Sequence, residues 1–189
     1  MDRMGHIRRF RQRAGSLAIF LSVLLLALPG TAQATAGWQT YTHPQMGFSL
    51  SYPDGWAETN GPSGVAFMAL GPAAAGGQSF RLNVNVTSEE LPSGINVEDY
   101  EAQNESGLGL LFTGYRRLRT DRLLIGSYPA VVRYYTWKRG DGVELYQLQL
   151  VTLAGSRGYV VTGTTTTAST RLADEAKLLV SILLTFRPK

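Results

Sequence analysis

The sequence has no cysteine, few charged residues and no apolar run long enough to cross a membrane. These absences exclude several classes of protein. Charged residues make up 17% of the 189 positions. Without thiols the chain forms no disulfide framework, and it has no site for the lipid that anchors bacterial lipoproteins. The apolar stretch Leu17–Leu28 has 12 residues, whereas a membrane-spanning helix needs about 20. We therefore predict no transmembrane segment in the mature chain.

Reactive side chains are also scarce. Beyond residue 34 the only histidine is His43, and a nucleophile needs an adjacent base. The string Ala154–Gly158 has Ala where a nucleophile elbow needs its first Gly, and Gly107-Leu108-Gly109 lacks the third Gly of a dinucleotide fingerprint. We predict no catalytic residue, no metal site and no cofactor, and hence a non-enzymatic protein.

The first 34 residues have the composition of a secretory signal peptide. Met1–Arg13 carries five arginines and one acid, Leu17–Leu28 is apolar, and Ala32-Gln33-Ala34 places small residues at a cleavage site. We predict residues 1–34 as a signal peptide cleaved after Ala34, residues 35–189 as a single domain, and export to the periplasm or the medium. An uncleaved anchor and a cut two residues later are the alternatives.

Removing that segment changes the charge of the protein. The formal charge of +4 becomes zero, since 13 basic and 13 acidic side chains remain, which argues against a nucleic-acid partner. The remaining charges are unevenly placed. Residues 35–114 contain eight acids and one base, whereas Tyr115–Arg139 contains seven bases and one acid.

The basic stretch predicts a docking face for an anionic partner, either a lipid headgroup or an acidic protein surface. The candidate residues are Arg117, Arg119, Lys138 and Arg139. Simple alternation puts Arg117 and Arg119 on one face of their strand, with Arg116 and Arg122 on the other. The alternative interpretations are internal pairing with the acidic helix that precedes the strand, or ordinary solvated strand faces.

Two further residue groups are open to two interpretations. Four aromatic residues on adjacent predicted strands would form either a ligand pocket or part of the core: Tyr134, Tyr135, Trp137 and Tyr146. Four acids would form either a site for a hard cation or a solvated helix start: Glu98, Asp99, Glu101 and Glu105.

Alternating apolar residues and turn signals predict four strands, a helix, four more strands and a second helix. The first hairpins comprise Trp38–His43, Gly47–Tyr52, Val65–Leu70 and Phe80–Thr87, with Gly71–Gly77 as a loop. The later strands form an antiparallel meander of Tyr115–Ile125, Tyr128–Trp137, Val143–Leu153 and Gly158–Thr166. Strands grouped apart from helices indicate an α+β domain with a mostly antiparallel sheet flanked by two helices.

Capping residues and apolar spacing define the two helices. Asn96 predicts the start of the first helix, along which a set of residues recurs at spacings of three and four: Val97, Tyr100, Asn104, Leu108 and Leu111. Ser169 or Thr170 predicts the start of the second, whose apolar face comprises Leu172, Ala176, Leu179 and Leu183.

Several short motifs resemble the PsbP-like family. Phe48–Trp56 resembles the opening strand and turn of these domains, and Gly126–Ala130 resembles their mid-chain turn. Tyr159–Thr162 and Leu183–Phe186 resemble the last strand and the end of the domain, so the similarity covers Trp38–Phe186. The resemblance implies an antiparallel sheet flanked by helices and a role without catalysis. The family includes extrinsic subunits of photosystem II and secreted bacterial proteins.

Three functions remain after these observations. The favoured one is a secreted, non-enzymatic accessory or binding protein that docks to a protein or membrane surface at the cell envelope. The alternatives are a small-ligand carrier with an aromatic pocket, or a photosystem II extrinsic subunit in a photosynthetic host. A hydrolase would need a pair of carboxylates that no sequence pattern indicates.

Overall fold

The computed structural model describes residues 37–76 and 80–189. The predicted signal peptide, residues 1–34, lies outside the described residues. Within the described part of the chain, no helix is both long enough and apolar enough to span a membrane.

The described residues form two short α-helices and a set of β-strands. The first half contains β1 (Trp38–Thr42), β2 (Phe48–Pro53), β3 (Ala57–Glu58), β4 (Val65–Ala73), β5 (Arg81–Glu90) and α1 (Val97–Leu111). The second half contains β6 (Arg116–Ile125), β7 (Tyr128–Lys138), β8 (Glu144–Ala154), β9 (Arg157–Thr166), α2 (Leu172–Leu183) and β10 (Arg187–Pro188).

The strands form two antiparallel sheets. The smaller has the order β1-β2-β10, and the larger has the order β3-β4-β5-β9-β8-β7-β6. The meander β6 to β9 joins the first half of the chain through β5, which pairs with β9 from Asn83↔Thr164 to Glu90↔Arg157. The predicted α+β class with a mostly antiparallel sheet and two helices is confirmed.

Strand alternation places the two helices on opposite faces of the seven-stranded sheet. Val132, Leu150 and Val161 lie in register on the face that packs against α2 and the small sheet, within the main hydrophobic core. The neighbouring positions point the other way, and there Arg133 of β7 bonds to Glu101 of α1. The sheet therefore separates a large apolar core from a smaller contact with α1.

Each helix approaches the sheet at a glycine of β9. A Cβ on Gly158 would lie 2.6 Å from the Tyr100 ring of α1, and a Cβ on Gly163 would lie 3.1 Å from the Leu179 Cβ of α2. Real Cβ atoms are essentially never as close to another heavy atom as the first distance. The contact at Gly158 therefore depends on the missing side chain, whereas at Gly163 the Leu179 side chain would have to shift by a few tenths of an ångström.

The helix boundaries confirm some predictions and correct others. Asn96 caps α1 as predicted, since its side chain accepts a hydrogen bond from the Asp99 N–H at 2.8 Å. Leu111 does not belong to the buried face, because it is 79% exposed. The residue preceding α2 is Arg171 rather than Ser169 or Thr170, and the Ser169 hydroxyl accepts from the Arg171 N–H instead.

The loop predicted at Gly71–Gly77 starts later than expected. Strand β4 continues through Ala73, because a register shift between Leu70 and Ala73 lets it keep pairing with β5 as far as Arg81. Small residues are compatible with such an irregular edge because they do not clash with the bent backbone.

Candidate docking surface

Strand β6, which carries most of the basic stretch, is the last strand of the seven-stranded sheet and pairs only with β7. Its pairing shifts at one point: Arg117 lies opposite Tyr135, and Arg119 lies opposite Tyr134, so Leu118 has no partner and forms a bulge. A bulge of one residue reverses the side-chain alternation beyond it.

The bulge corrects the predicted placement of the arginines. Arg117 lies on the α1 face and Arg119 on the α2 face, so the two do not share a face. Arg122 lies opposite Val131 and therefore shares the α1 face with Arg117. The separation is visible in their contacts, since Arg117 bonds to Glu105 of α1 while the Arg119 guanidinium lies 5.1 Å above the Tyr134 ring.

Lys138 and Arg139 lie where β7 ends and the turn to β8 begins. The backbone N–H of Lys138 donates to the Thr113 carbonyl at 2.8 Å, and the Lys138 side chain is exposed. The Arg139 guanidinium lies 5.6 Å from the centre of the Phe80 ring. The four predicted residues do not form one compact patch.

Internal pairing, one of the alternative interpretations, accounts for part of the basic stretch. Arg117 pairs with Glu105 at 2.7 Å, Arg119 pairs with Asp121, and Arg139 pairs with Asp141 at 2.6 Å. In the described part of the chain, no carboxylate oxygen lies within 4.0 Å of the side-chain nitrogens of Arg116, Arg122 or Lys138. These three cations are the ones left to meet an external anion.

The ion pairs also change the acidity of their carboxyl groups. Hydrogen bonds from Arg119 hold the pKa of Asp121 below its usual value, and those from Arg139 lower the pKa of Asp141 to about 2. Burial, together with a hydrogen bond to Glu105, raises the pKa of Tyr115 to about 12. Each of these groups keeps its ordinary charge at neutral pH.

A concavity of 340 Å³ lies along the open edge of β6. It is lined by three arginines, one glutamate that pairs with Arg133, and two uncharged residues: Arg117, Arg119, Arg122, Glu101, Leu118 and Thr120. Arginine clusters of this kind bind phosphate and carboxylate groups through paired N–H donors. Sequence reasoning placed Arg122 on the opposite face from Arg117 because no local signal marks the bulge at Leu118.

Exposed leucines lie in the same part of the chain. Leu110 and Leu111 at the end of α1 are 86% and 79% exposed, and Leu118 and Leu124 on β6 are 42% and 65% exposed. Of the large hydrophobic side chains exposed in the described ranges, only Leu184 lies elsewhere. Arg116 lies opposite Thr136 and therefore on the α2 face, whereas Arg122 and Leu124 lie on the α1 face, so these side chains share the open edge of the sheet rather than one face. We call this edge, with the exposed leucines and the three unpaired cations on and around it, the β6 surface: Leu110, Leu111, Leu118, Leu124, Arg116, Arg122 and Lys138.

The four aromatic residues do not form a common pocket. Tyr134 and Tyr146 point to the α2 face, while Tyr135 and Trp137 point to the α1 face. Trp137 stacks on Phe112 with ring centres 4.1 Å apart and donates its indole N–H to Gln147. These residues pack within the sheet faces, which is the second of the two interpretations.

The acidic residues of α1 do not converge either. Glu101 bonds to Arg133 and Glu105 bonds to Arg117, while Glu98 and Asp99 lie in the first turn, where the helix dipole favours negative charge. Within residues 37–76 and 80–189, no three metal-ligating side chains of the His, Cys, Asp or Glu type lie close enough together to hold a metal ion.

Three solved structures share the fold of this chain. Cyanobacterial PsbP (CyanoP) from Synechocystis sp. PCC 6803 is 18% identical, with a TM-score of 0.58 over 82% of this chain and 94% of that one. LpqN of Mycobacterium tuberculosis, involved in cell envelope biogenesis, is 12% identical, with a TM-score of 0.58 over 80% and 91%. The Ran-binding protein Mog1p of Saccharomyces cerevisiae is 10% identical, with a TM-score of 0.55 over 80% and 95%. The chain therefore has a PsbP-like α+β fold.

A family model identifies the chain more closely. The model of the serine/threonine kinase C-terminal domain (STK_strepto_C) matches residues 40–188, so the chain belongs to that family. The predicted resemblance to PsbP is confirmed for the fold, while the matching family has another description. A comparison with curated proteins finds no match.

Proposed function

We propose that this protein is an exported, non-enzymatic binding module that docks to an anionic membrane surface through the β6 surface. One observation carries the proposal: exposed leucines and cations without an internal partner occur in the same stretch, on and around an open edge strand. Apolar side chains that enter the lipid interface, together with basic ones that meet anionic headgroups, are the usual means of peripheral membrane binding.

Export is part of the same proposal. The composition of residues 1–34 supports a cleaved signal peptide, which would leave residues 35–189 as the working domain. The net charge of that domain is zero, so docking would depend on where its charges lie rather than on their sum.

The arginines already paired with carboxylates contribute less to this docking. Arg117, Arg119 and Arg139 each carry a neighbouring negative charge that cancels much of their field outside the protein. Of the four residues predicted from the sequence, Lys138 is the one that remains in the β6 surface, where it is joined by Arg116 and Arg122.

Vesicle co-sedimentation tests the proposal. We expect the protein to bind vesicles containing phosphatidylglycerol, and to bind phosphatidylcholine vesicles much more weakly. Raising the salt from about 0.1 M to about 1 M should weaken binding, because the screening length falls from about 10 Å to about 3 Å. The triple variant Arg116→Gln/Arg122→Gln/Lys138→Gln should lose the preference for phosphatidylglycerol.

A matched control removes the same charge elsewhere. Lys177, Arg187 and Lys189 are exposed, lie on or after α2, and belong to none of the ion pairs formed by the described residues. Neutralising these three should leave vesicle binding unchanged. Equal losses in both triple variants, or no vesicle binding by the unaltered protein, would overturn the proposal. If the unaltered protein does not bind vesicles, an acidic protein of the cell envelope becomes the candidate partner in place of a lipid surface.

The leucines provide an independent arm of the same test. The double variant Leu118→Ser/Leu124→Ser keeps every charge and removes two exposed apolar side chains. We expect binding weaker than that of the unaltered protein at both low and high salt, because the lost apolar contribution is not screened by ions. Unchanged binding would show that charge alone carries the contact. A separate Arg117→Gln/Arg119→Gln variant should have a smaller effect than the first triple variant.

A further inference from the structure

A second surface concavity lies beside β3 and β4, at the edge of the seven-stranded sheet opposite β6. It measures 440 Å³, and its lining includes Tyr41 of the small sheet, Glu58, Phe67 and Met68 of the large sheet, and Thr59 and Asn60 of the loop that follows β3. We call it the Glu58 cleft. Its volume lies in the range of about 300 to 1,000 Å³ that is typical of small-molecule sites.

Aromatic rings form one wall of the cleft. Tyr41 stacks on Phe67 with ring centres 4.3 Å apart and planes inclined by 26°, and Tyr52 lies 5.4 Å from Phe67. Stacking fixes the rings, and the burial of Phe67, which is 6% exposed, anchors them to the core. Rigid aromatic rings attract cations through the negative charge of their faces.

A carboxylate without a cationic partner lies beside these rings. Glu58 is exposed and accepts a hydrogen bond from the Tyr52 hydroxyl. It belongs to none of the ion pairs formed by the described residues. A carboxylate has about four acceptor positions, so one phenol leaves most of them available.

The surrounding chain offers no cation to neutralise Glu58. Residues 37–76 contain no lysine and no arginine. The next basic residue, Arg81, is held by the main chain, since its guanidinium donates to the Gly71 carbonyl at 2.8 Å and to the Leu70 carbonyl at 3.3 Å. Negative charge beside aromatic rings in a concave site favours a positively charged ligand.

We propose that the Glu58 cleft binds a small organic ammonium ion, with Glu58 as its counter-ion and Tyr41 and Phe67 as its aromatic wall. The hydroxyl of Thr59 and the amide of Asn60 supply hydrogen-bonding groups for a polar part of the ligand. The cleft is separate from the β6 surface, so this proposal does not depend on membrane docking. It also relocates a small-ligand site from the aromatic residues of β7 and β8 to those of β1 and β4.

Isothermal titration calorimetry with choline chloride tests the ligand class. The control ligand is 3,3-dimethylbutanol, which has nearly the shape of choline but no charge, and sodium chloride keeps the ionic strength constant. We expect choline to bind and the alcohol to bind at least about tenfold more weakly, since such a ratio corresponds to about 1.4 kcal/mol. Equal binding of both ligands, or no binding of choline, would overturn the proposal.

Matched variants assign the site. Glu58→Gln keeps an acceptor for the Tyr52 hydroxyl while removing the charge, and it should weaken choline binding about tenfold. Asp54→Asn removes a charge from the exposed turn after β2 and should change nothing. Tyr41→Leu should weaken choline binding and leave the alcohol unaffected. If Glu58→Gln binds choline as the unaltered protein does, while circular dichroism shows both to be folded, the cleft is not the site.

Discussion

The ion pair between Arg133 and Glu101 leads to the sharpest stability prediction, because it is buried between β7 and α1. Arg133 is fully buried, and Glu101 is 14% exposed. The guanidinium donates to the Glu101 carboxylate at 2.9 and 2.6 Å and to the Glu101 carbonyl at 2.9 Å. A third partner, the Gln149 side chain, lies at 3.4 Å.

The change Glu101→Gln would leave that buried guanidinium without its counter-charge. We expect it to lower the free energy of unfolding by about 3 to 5 kcal/mol, as is usual when one partner of a buried pair is lost. Domains of this size are stable by about 5 to 15 kcal/mol, so the variant would lose a large share of its stability. Equilibrium unfolding in urea, with the slope checked for two-state behaviour, measures the loss.

A second pair on the same helix is a built-in control. Glu105 lies one turn further along α1 and pairs with Arg117 at 2.7 Å, a similar distance, but the Arg117 side chain is 54% exposed. Glu105→Gln should therefore cost only about 0 to 1 kcal/mol. Equal costs for the two glutamate variants would refute the argument that burial decides the strength of these pairs. The double variant Glu101→Leu/Arg133→Met should recover much of the loss, because it leaves no unpaired charge.

Three further predictions concern packing, acidity and processing. Gly158→Ala should lower the free energy of unfolding in urea by about 1 to 3 kcal/mol, because its Cβ would meet the Tyr100 ring at 2.6 Å. The same substitution should cost less in a Tyr100→Leu background. Equal costs with and without the ring would contradict this. Burial raises the pKa of Glu175, but hydrogen bonds from Thr165 and the Ala75 N–H outweigh it and hold the pKa below 4.5. The stability from Glu175 is therefore fully present above about pH 4.5 and is lost as the pH falls through its lowered pKa. Glu175→Gln should consequently reduce the loss of stability on acidification, measured as the free energy of unfolding against pH. An unchanged loss would be inconsistent with this. Amino-terminal sequencing of the exported protein should begin at residue 35, and an intact amino terminus would indicate the uncleaved anchor instead.

Much of the fold follows from local sequence patterns. Alternation of apolar residues along Phe48–Tyr52 and Phe80–Thr87 predicted strands that the structure contains. Short turns predicted the meander of the second half, and the side chain of Asn96 predicted the start of α1. Strands, turns and helix caps depend on residues that are close together in the sequence, so local patterns predict them.

The candidate sites depend on interactions between distant residues and were only partly predictable. The Glu58 cleft joins a two-residue strand to Tyr41 of the other sheet, and neither Glu58 nor Tyr41 stands out in the sequence. The buried position of Arg133 depends on α1 folding back over β7, so composition alone classed it with surface arginines. The pairing of β5 with β9 runs from Asn83↔Thr164 to Glu90↔Arg157 and so joins residues 81 to 67 positions apart, and no local signal specifies it.

The bulge at Leu118 also bears on how this edge of the domain varies among relatives. Arg117 and Arg119 already lie opposite consecutive residues of β7, so a gene lacking the Leu118 codon would encode a strand with all its present partners. Indels are normally tolerated in loops rather than inside strands, because they shift every pairing downstream. Homologues one residue shorter at this point should therefore retain the same hairpin, while losing one of the exposed leucines from the open edge of β6.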